Sequence, residues 1–205
     1  MIVIGDVHGR FDLLMELVNK LPYTDDLCFV GDVIDRGPQS KEVVDFIIDN
    51  NHKCVLGNHE EFLNFTFIDG INDPKMDTLQ MWLQNGGYDT LNSFGNFEEN
   101  DLDILPLENY LDWFKSLPLY IEHKHFLITH SYAHNGKNTP YDDLLWDRMF
   151  WKPIVDNVIN IFGHTQHFHP RKFHDKHWCI DTGAYQTGIL TAIDLKTMQF
   201  YKTGE

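Results

Sequence analysis

Cysteine is scarce in this chain and its three copies are not arranged in pairs. Cys28, Cys54 and Cys179 each lie in an apolar, strand-like stretch of the 205 residues, and no Cys-x-x-Cys sequence occurs. An odd number of cysteines without a paired spacing argues against a disulfide framework. We therefore expect buried, reduced thiols in a cytoplasmic protein.

Basic residues and long apolar runs are also lacking. The chain has 16 lysines and arginines against 31 acidic residues, a net charge of −15. Nucleic-acid binding needs a basic surface, so we expect no nucleic-acid partner. The sequence has no apolar run long enough for a membrane span, and its first candidate ligand already lies at position 6, so we expect neither a membrane helix nor a signal peptide.

What the chain does have is a repeated strand-end motif. Three short apolar runs each end in a glycine followed by a side chain that can bind a metal. The first ends in Gly-Asp-Val-His-Gly, with Asp6 and His8. The second ends in Gly-Asp, with Asp32, and the third in Gly-Asn-His, with Asn58 and His59. In an open α/β sheet such strand ends line one crevice, so we expect these side chains to meet.

The apolar spacing predicts an α/β fold. The first sixty residues alternate strand and helix, which implies parallel strands joined by right-handed crossovers. Ser40 is the predicted N-cap of the second helix. We expect one domain over residues 1–205, a monomer, with a helical insertion at about 68–116. The predicted strands lie near 2–4, 26–30, 53–56, 120–123, 125–130, 158–162 and 178–183, with a closing hairpin over 190–195 and 198–201.

Two later strand-like runs end in histidine, which brings the candidate metal ligands to six. Six exceeds the three protein ligands of an open catalytic zinc site and fits two metals that share one carboxylate. Asp32, central in the series, is the predicted bridge. Oxygen and nitrogen donors without a thiolate suit manganese, iron or zinc better than calcium or copper(I). The six are Asp6 and His8 for one metal, Asn58, His130 and His164 for the other, and Asp32 for both.

Phosphoryl chemistry would explain the charged residues near these motifs. Two metals about 3.5–4 Å apart can clamp a phosphate and ionise the water between them. Arg36 and Arg148 can bind phosphoryl oxygens through the planar guanidinium. His59 can protonate the leaving oxygen as a general acid, and Asp35 can orient it.

These motifs resemble those of the phosphoprotein phosphatase family. Gly-Asp-Val-His-Gly, Gly-Asp-Val-Ile-Asp-Arg-Gly and Gly-Asn-His-Glu are similar, in order and separation, to its three signature motifs. Thr129-His130-Ser131 and Gly163-His164-Thr165 resemble its fourth and fifth. Leu145-Trp146-Asp147-Arg148 and Ile180-Asp181-Thr182-Gly183-Ala184 resemble segments of its compact bacterial and phage branch.

The resemblance implies a fold and an activity. The fold is a calcineurin-like sandwich of two mixed β-sheets flanked by helices. The activity is hydrolysis of phosphoserine and phosphothreonine in proteins or peptides by direct attack of a hydroxide that bridges two divalent metals, often manganese. In this family the six candidate ligands match metal positions, and Arg36, Asn58 and Arg148 match phosphate-binding positions. The expected location is the cytoplasm of a bacterium or of a phage-infected host.

Two other functions remain open at this point. A dinucleoside polyphosphate hydrolase shares most of these motifs, but symmetrical diadenosine tetraphosphatases typically lack an acid at the position of Asp35. A metal-binding scaffold without activity would have no use for His59, Arg36 and Arg148.

Several histidines lie outside these motifs. His167, His169, His174 and His177 could form a third metal site, but a solvent-facing loop explains the tract better. His52, His123, His125 and His134 are predicted at the surface or at strand edges.

Overall fold

The amino-terminal sixty residues form the predicted alternation of strand and helix. The computed structural model describes residues 1–70, 73–95, 97–98, 101–102, 105–148, 150–152 and 157–204. Strand β2 pairs in parallel with both β1 and β3, as predicted. The elements are β1 (Ile2–Ile4), α1 (Phe11–Val18), β2 (Leu27–Phe29), α2 (Ser40–Asp49), β3 (Lys53–Cys54) and α3 (Asn58–Thr66).

A mainly helical stretch follows, and we call Met76–Ser116 the helical segment. The helical insertion predicted at about 68–116 falls on this part of the chain, and its boundaries stay a prediction. Its elements are α4 (Met76–Trp82), a π-helical turn (Leu83–Gly87), α5 (Tyr88–Phe94), a hairpin of β4 (Phe97–Glu98) and β5 (Asp101–Leu102), α6 (Leu105–Glu108) and α7 (Leu111–Ser116).

The remaining chain is rich in strands. The hairpin predicted at its end is present, because β11 and β12 pair antiparallel. The elements are β6 (Tyr120–His123), β7 (Phe126–Thr129), a 3₁₀ turn (Gly136–Asn138), α8 (Tyr141–Trp146), β8 (Ile159–Phe162), β9 (Arg171–Phe173), β10 (His177–Cys179), α9 (Ala184–Thr187), β11 (Thr191–Asp194) and β12 (Gln199–Lys202).

Two five-stranded sheets organise the fold. Their strand orders are β12-β11-β1-β2-β3 and β6-β7-β8-β10-β9. Each sheet is mixed: β1, β2 and β3 are parallel in the first, and β7, β8 and β10 in the second. The predicted fold, two mixed sheets flanked by helices, is confirmed.

Strand β1 shows how the layers are built. Alternate side chains of a strand point to opposite faces of its sheet. Ile2 and Ile4 pack into the cluster formed with the helices, whereas Val3 joins a second cluster with Ile128 and Ile161 of the other sheet. All five side chains are fully buried. The first sheet is therefore covered on both faces, and the carboxyl ends of the parallel strands remain to form a site.

Some local predictions were wrong. The N-cap of α2 is Gln39, because the Ser40 hydroxyl turns inward and accepts the Asp35 N–H at 3.1 Å. His177 is not on a solvent-facing loop: it lies in β10 with 1% exposure, and its Nδ1 accepts the Asn160 N–H at 3.0 Å.

The other histidine and cysteine predictions had mixed outcomes. His134 was predicted at the surface or at a strand edge; its side chain is 17% exposed and donates to Asp147 Oδ2 at 2.7 Å. The three cysteines are buried and free, as predicted. Among the described residues, no helix is both long and apolar enough to cross a membrane.

Candidate active site at the strand ends

The six predicted metal ligands all follow the carboxyl ends of strands. Both sheets contribute, and the ends open into one cleft of about 400 Å³ that is lined by His8, Asp32, Asn58 and His164. Asp6 and His8 follow β1, Asp32 follows β2, Asn58 begins α3 after β3, His130 follows β7 and His164 follows β8.

Asp32 lies at the centre of this group. Its Oδ2 is 3.6 Å from Nε2 of His8, and its Oδ1 is 3.4 Å from Nε2 of His130. The two carboxylate oxygens therefore face different histidines. This is the arrangement expected of a ligand shared between two metals.

Asn58 and two histidines form the second half of the centre. Asn58 Oδ1 lies 2.8 Å from His130 Nε2 and 2.9 Å from His164 Nδ1. His130 Nδ1–H donates to the Val30 carbonyl at 2.8 Å, so the lone pair of this ring is on Nε2, the atom that faces Asn58 and Asp32.

The first half of the centre contains a buried carboxylate without a full set of partners. Asp6 Oδ2 accepts the His164 N–H at 3.0 Å, but Asp6 Oδ1 is buried and has no hydrogen-bond partner among the described residues. Burial and the negative charges of Asp181 and Asp32 raise the pKa of Asp6. An orphaned buried oxygen of this kind is what a cation would satisfy.

The electrostatics of the histidines suit the same role. Burial lowers the pKa values of His8 and His130, and lowers that of His164 to about 3. Metal binding needs the neutral imidazole, so these rings are already in the form that coordinates. His8 Nδ1–H donates to the Ile34 carbonyl at 2.9 Å, so the lone pair of this ring is on Nε2, the atom that faces Asp32. The donor set fits divalent metals.

His59 lies at the edge of the metal-capable cluster. Its Nε2 is 3.9 Å from Asp32 Oδ2, and metal-capable atoms of His8, Asp32 and His59 fall within 4.8 Å of one another. Asp6 is not in that group. His59 Nδ1–H, however, donates to Asp35 Oδ2 at 2.6 Å, and both side chains are buried. Burial lowers the pKa of His59, but the charge of Asp32 and the bond to Asp35 outweigh it and raise the pKa.

Comparison with known proteins identifies the family. The family model described as "Calcineurin-like phosphoesterase" matches residues 1–186. The chain belongs to the calcineurin-like phosphoesterases. Members of this family are metallophosphoesterases, so the phosphoesterase acts with divalent metal ions.

Its curated relatives carry two different names. Serine/threonine-protein phosphatase 2 of Escherichia coli (strain K12) is 32% identical over 95% of this chain and 92% of its own length. The symmetrical bis(5'-nucleosyl)-tetraphosphatase of Buchnera aphidicola subsp. Baizongia pistaciae (strain Bp) is 31% identical over 77% of this chain. The match covers 50% of the length of that tetraphosphatase, so the phosphoesterase spans about half of it.

Solved structures support the fold. A structure that carries the provisional name diadenosine tetraphosphatase has a TM-score of 0.72 at 17% identity, over 98% of this chain and 91% of that chain. A serine/threonine phosphatase from Saccharomyces cerevisiae has a TM-score of 0.62 at 16% identity, over 94% of this chain and 71% of that chain. At such low identity these likenesses establish the fold alone.

Both predicted arginines of the phosphoesterase reach the cleft. Arg36 Nη1 donates to His8 Nε2 at 2.8 Å, and its guanidinium lies 4.7 Å from the centre of the Tyr185 ring. Arg148 is exposed and lines the same cleft beside His164. The two guanidinium groups thus lie in the same cleft as the candidate metal ligands.

Several site residues have strained backbones. The φ angles are 48° at His8, 49° at Asp32, 71° at Asp35, 70° at Arg36 and 65° at His164. This left-handed region is unfavourable for residues other than glycine and persists where surrounding contacts hold it. The strain shows that these loops are held in place by other parts of the fold.

Glu60 is one residue that holds them, and sequence reasoning missed it. Its Oε2 accepts the N–H groups of Asp32 at 2.8 Å and Gly57 at 3.0 Å. Its Oε1 accepts those of Val33 at 2.9 Å and Ile34 at 3.3 Å. Burial and the charge of Asp32 raise the pKa of Glu60, but the four backbone N–H donors on its two oxygens leave no acceptor for an acid proton and favour the ionised form. The available signal was a glutamate three residues after the helix N-cap, the spacing of a capping box.

Asp181 is a second residue that was given no role. It follows β10, is 5% exposed and lines the cleft. Burial raises its pKa to about 6. The signal was its position in an Ile-Asp-Thr-Gly sequence at the end of an apolar run.

Proposed function

We propose that the phosphoesterase is a metal-dependent serine/threonine protein phosphatase that hydrolyses phosphate monoesters of proteins or peptides. The observation that carries this proposal is the buried pair of Asp35 and His59, joined at 2.6 Å beside Asp32. A histidine held by an aspartate is suited to protonate a poor leaving group such as the serine or threonine oxygen.

The chain's own residues would divide the work as follows. Arg36 and Arg148 bind the phosphoryl oxygens, helped by the Asn58 amide. His59 Nε2 delivers the proton to the departing oxygen, and Asp35 keeps the other ring nitrogen protonated. Two divalent ions would be held by the six candidate ligands Asp6, His8, Asp32, Asn58, His130 and His164. We propose Mn²⁺ before Fe or Zn. Bound there, the ions would supply Lewis-acid charge and lower the pKa of the attacking water.

The length of the relatives also supports this proposal. Serine/threonine-protein phosphatase 2 of E. coli aligns over 92% of its length, whereas the Buchnera tetraphosphatase aligns over 50%. The second candidate, a dinucleoside tetraphosphatase, is favoured by the 31% identity to that enzyme. Asp35 counts against it, because the resemblance implies that such enzymes typically lack this acid.

A substrate panel tests the proposal. The manganese-loaded protein would be assayed on phosphoserine, phosphothreonine and phosphotyrosine peptides and on diadenosine tetraphosphate. We expect kcat/KM for phosphoserine or phosphothreonine to exceed that for the tetraphosphate by about tenfold or more. A preference for the tetraphosphate would establish the second candidate instead, and a preference for phosphotyrosine would exclude the serine/threonine assignment.

A further inference from the structure

The carboxylate of Asp35 is held by two side chains from the helical segment. Trp82, the last residue of α4, directs its indole N–H at Asp35 Oδ2 at 2.9 Å and Oδ1 at 3.1 Å. Thr90, in α5, donates its hydroxyl to Asp35 Oδ1 at 2.5 Å. Asp35 is fully buried, so these donors and His59 replace water as its partners.

The geometry fixes the direction of the Thr90 hydrogen bond. Thr90 Oγ1 accepts the backbone N–H of Asp35 at 2.9 Å and lies 3.1 Å from the Ser40 hydroxyl. A carboxylate can only accept, so the single hydroxyl proton of Thr90 goes to Asp35. Thr90 is therefore hydrogen-bonded to both the backbone and the side chain of Asp35.

The helical segment also touches the neighbouring catalytic candidate. The Arg36 N–H donates to the Gly86 carbonyl at 3.3 Å. Gly86 has a φ of 112°, and a Cβ built there would lie 2.7 Å from the Arg36 nitrogen. The turn between α4 and α5, together with these two helices, thus contacts Asp35 and Arg36, two adjacent residues with left-handed backbone conformations.

We propose that Trp82 and Thr90 are positioning residues that orient the Asp35 carboxylate so that His59 presents Nε2 to the leaving oxygen. The effect on catalysis rests on the proposed role of His59 as general acid. The orientation of the His59 ring does not depend on that proposed role, because it follows from the hydrogen bonds alone. The helical segment would then help to position the proton donor.

Thr90 is the better residue for the test. Trp82 also packs against the Phe67 ring, with centroids 5.8 Å apart, so its replacement changes packing as well as hydrogen bonding. Valine has nearly the shape of threonine without the hydroxyl, and serine keeps the hydroxyl. Ser93, on the same helix, accepts the Lys41 N–H at 2.8 Å and gives a control that bonds α2 instead of Asp35.

The first experiment reads the hydrogen bond directly and needs no substrate. Proton NMR of the wild type should show a strongly downfield His59 Nδ1–H resonance, assigned by its loss in His59→Asn. We expect Thr90→Val to shift this resonance and Thr90→Ser and Ser93→Ala to leave it in place. An unchanged resonance in Thr90→Val would overturn the proposal.

The second experiment reads the leaving group. On a phosphoserine peptide, Thr90→Val should lower kcat/KM by about tenfold, whereas on p-nitrophenyl phosphate the loss should stay below about twofold, because p-nitrophenolate departs without a proton. Thr90→Ser should recover most of the peptide activity, and Trp82→Phe should show the same discrimination if Thr90→Val does not fold. Equal losses on both substrates would assign Thr90 a structural role only. If the wild type cleaves only the tetraphosphate, the proposed function is wrong. The NMR result alone then shows whether Thr90 positions Asp35 and His59.

Discussion

Glu60→Gln is a small change with a large expected effect. Each carboxylate oxygen of Glu60 accepts two backbone N–H groups, from Asp32 and Gly57 on one oxygen and from Val33 and Ile34 on the other. Glutamine replaces one oxygen with an NH₂ group. Two buried backbone N–H groups then lose their acceptor and point at the N–H groups of the new glutamine amide.

The size of the effect follows from the hydrogen bonds. Leaving a buried donor unsatisfied costs about 1–3 kcal/mol, so two cost about 2–6 kcal/mol. Small domains are stable by about 5–15 kcal/mol, so this loss is a large share. It should also displace the Asp32 loop and weaken metal binding.

Urea unfolding in the presence of a chelator measures this cost without a contribution from bound metal. Glu61→Gln is the matched control, because its Oε1 accepts the Tyr141 hydroxyl, a bond that the glutamine oxygen can keep. We expect the control to lose less than about 1 kcal/mol. Similar losses in the two variants would contradict the role assigned to Glu60.

Three further predictions concern the cleft and a buried histidine. His59→Asn should keep its metal content by elemental analysis and lose more activity on phosphoserine peptides than on p-nitrophenyl phosphate; equal losses would refute its role as acid. Arg36→Ala and Arg148→Ala should each lower kcat/KM by about 10²–10³ with metal retained, and a wild-type rate for either would remove it from the phosphate site. Burial lowers the pKa of His177 from 6.5 to about 4. Between these two pH values the unfolded chain takes up a proton on His177 that the folded chain does not. The free energy of unfolding, measured with urea, should therefore fall by about 2 kcal/mol more in the wild type than in His177→Gln as pH falls from ~7 to ~5. Parallel pH profiles would refute this.

That the candidate ligands lie together could be predicted because the cause is local. A short apolar run followed by glycine and an acid or histidine marks the end of a buried strand, and the ends of parallel strands meet at one edge. Asp32 and Asn58 could therefore be placed together before their 2.8–3.4 Å contacts with His130 were seen.

The positioning contacts could not be predicted in this way. Trp82 and Thr90 are 47 and 55 residues from Asp35 in sequence, and no spacing rule links them. Ser40 shows the same limit: a serine before a helix indicates an N-cap, but a bond to Asp35 decided its direction. His177 lies in a polar tract of the sequence, whereas in the structure β10 pairs with β8 and β9 and His177 is 1% exposed.

Metal content tests whether Asp32 bridges two metals in the cleft. After loading with manganese and dialysis, the wild type should hold two ions per chain by elemental analysis. Asp32→Asn should hold fewer than one and lose turnover, because a neutral amide cannot balance two dications. An Asp32→Asn protein that keeps two ions and the wild-type rate would show that Asp32 is not a bridging ligand.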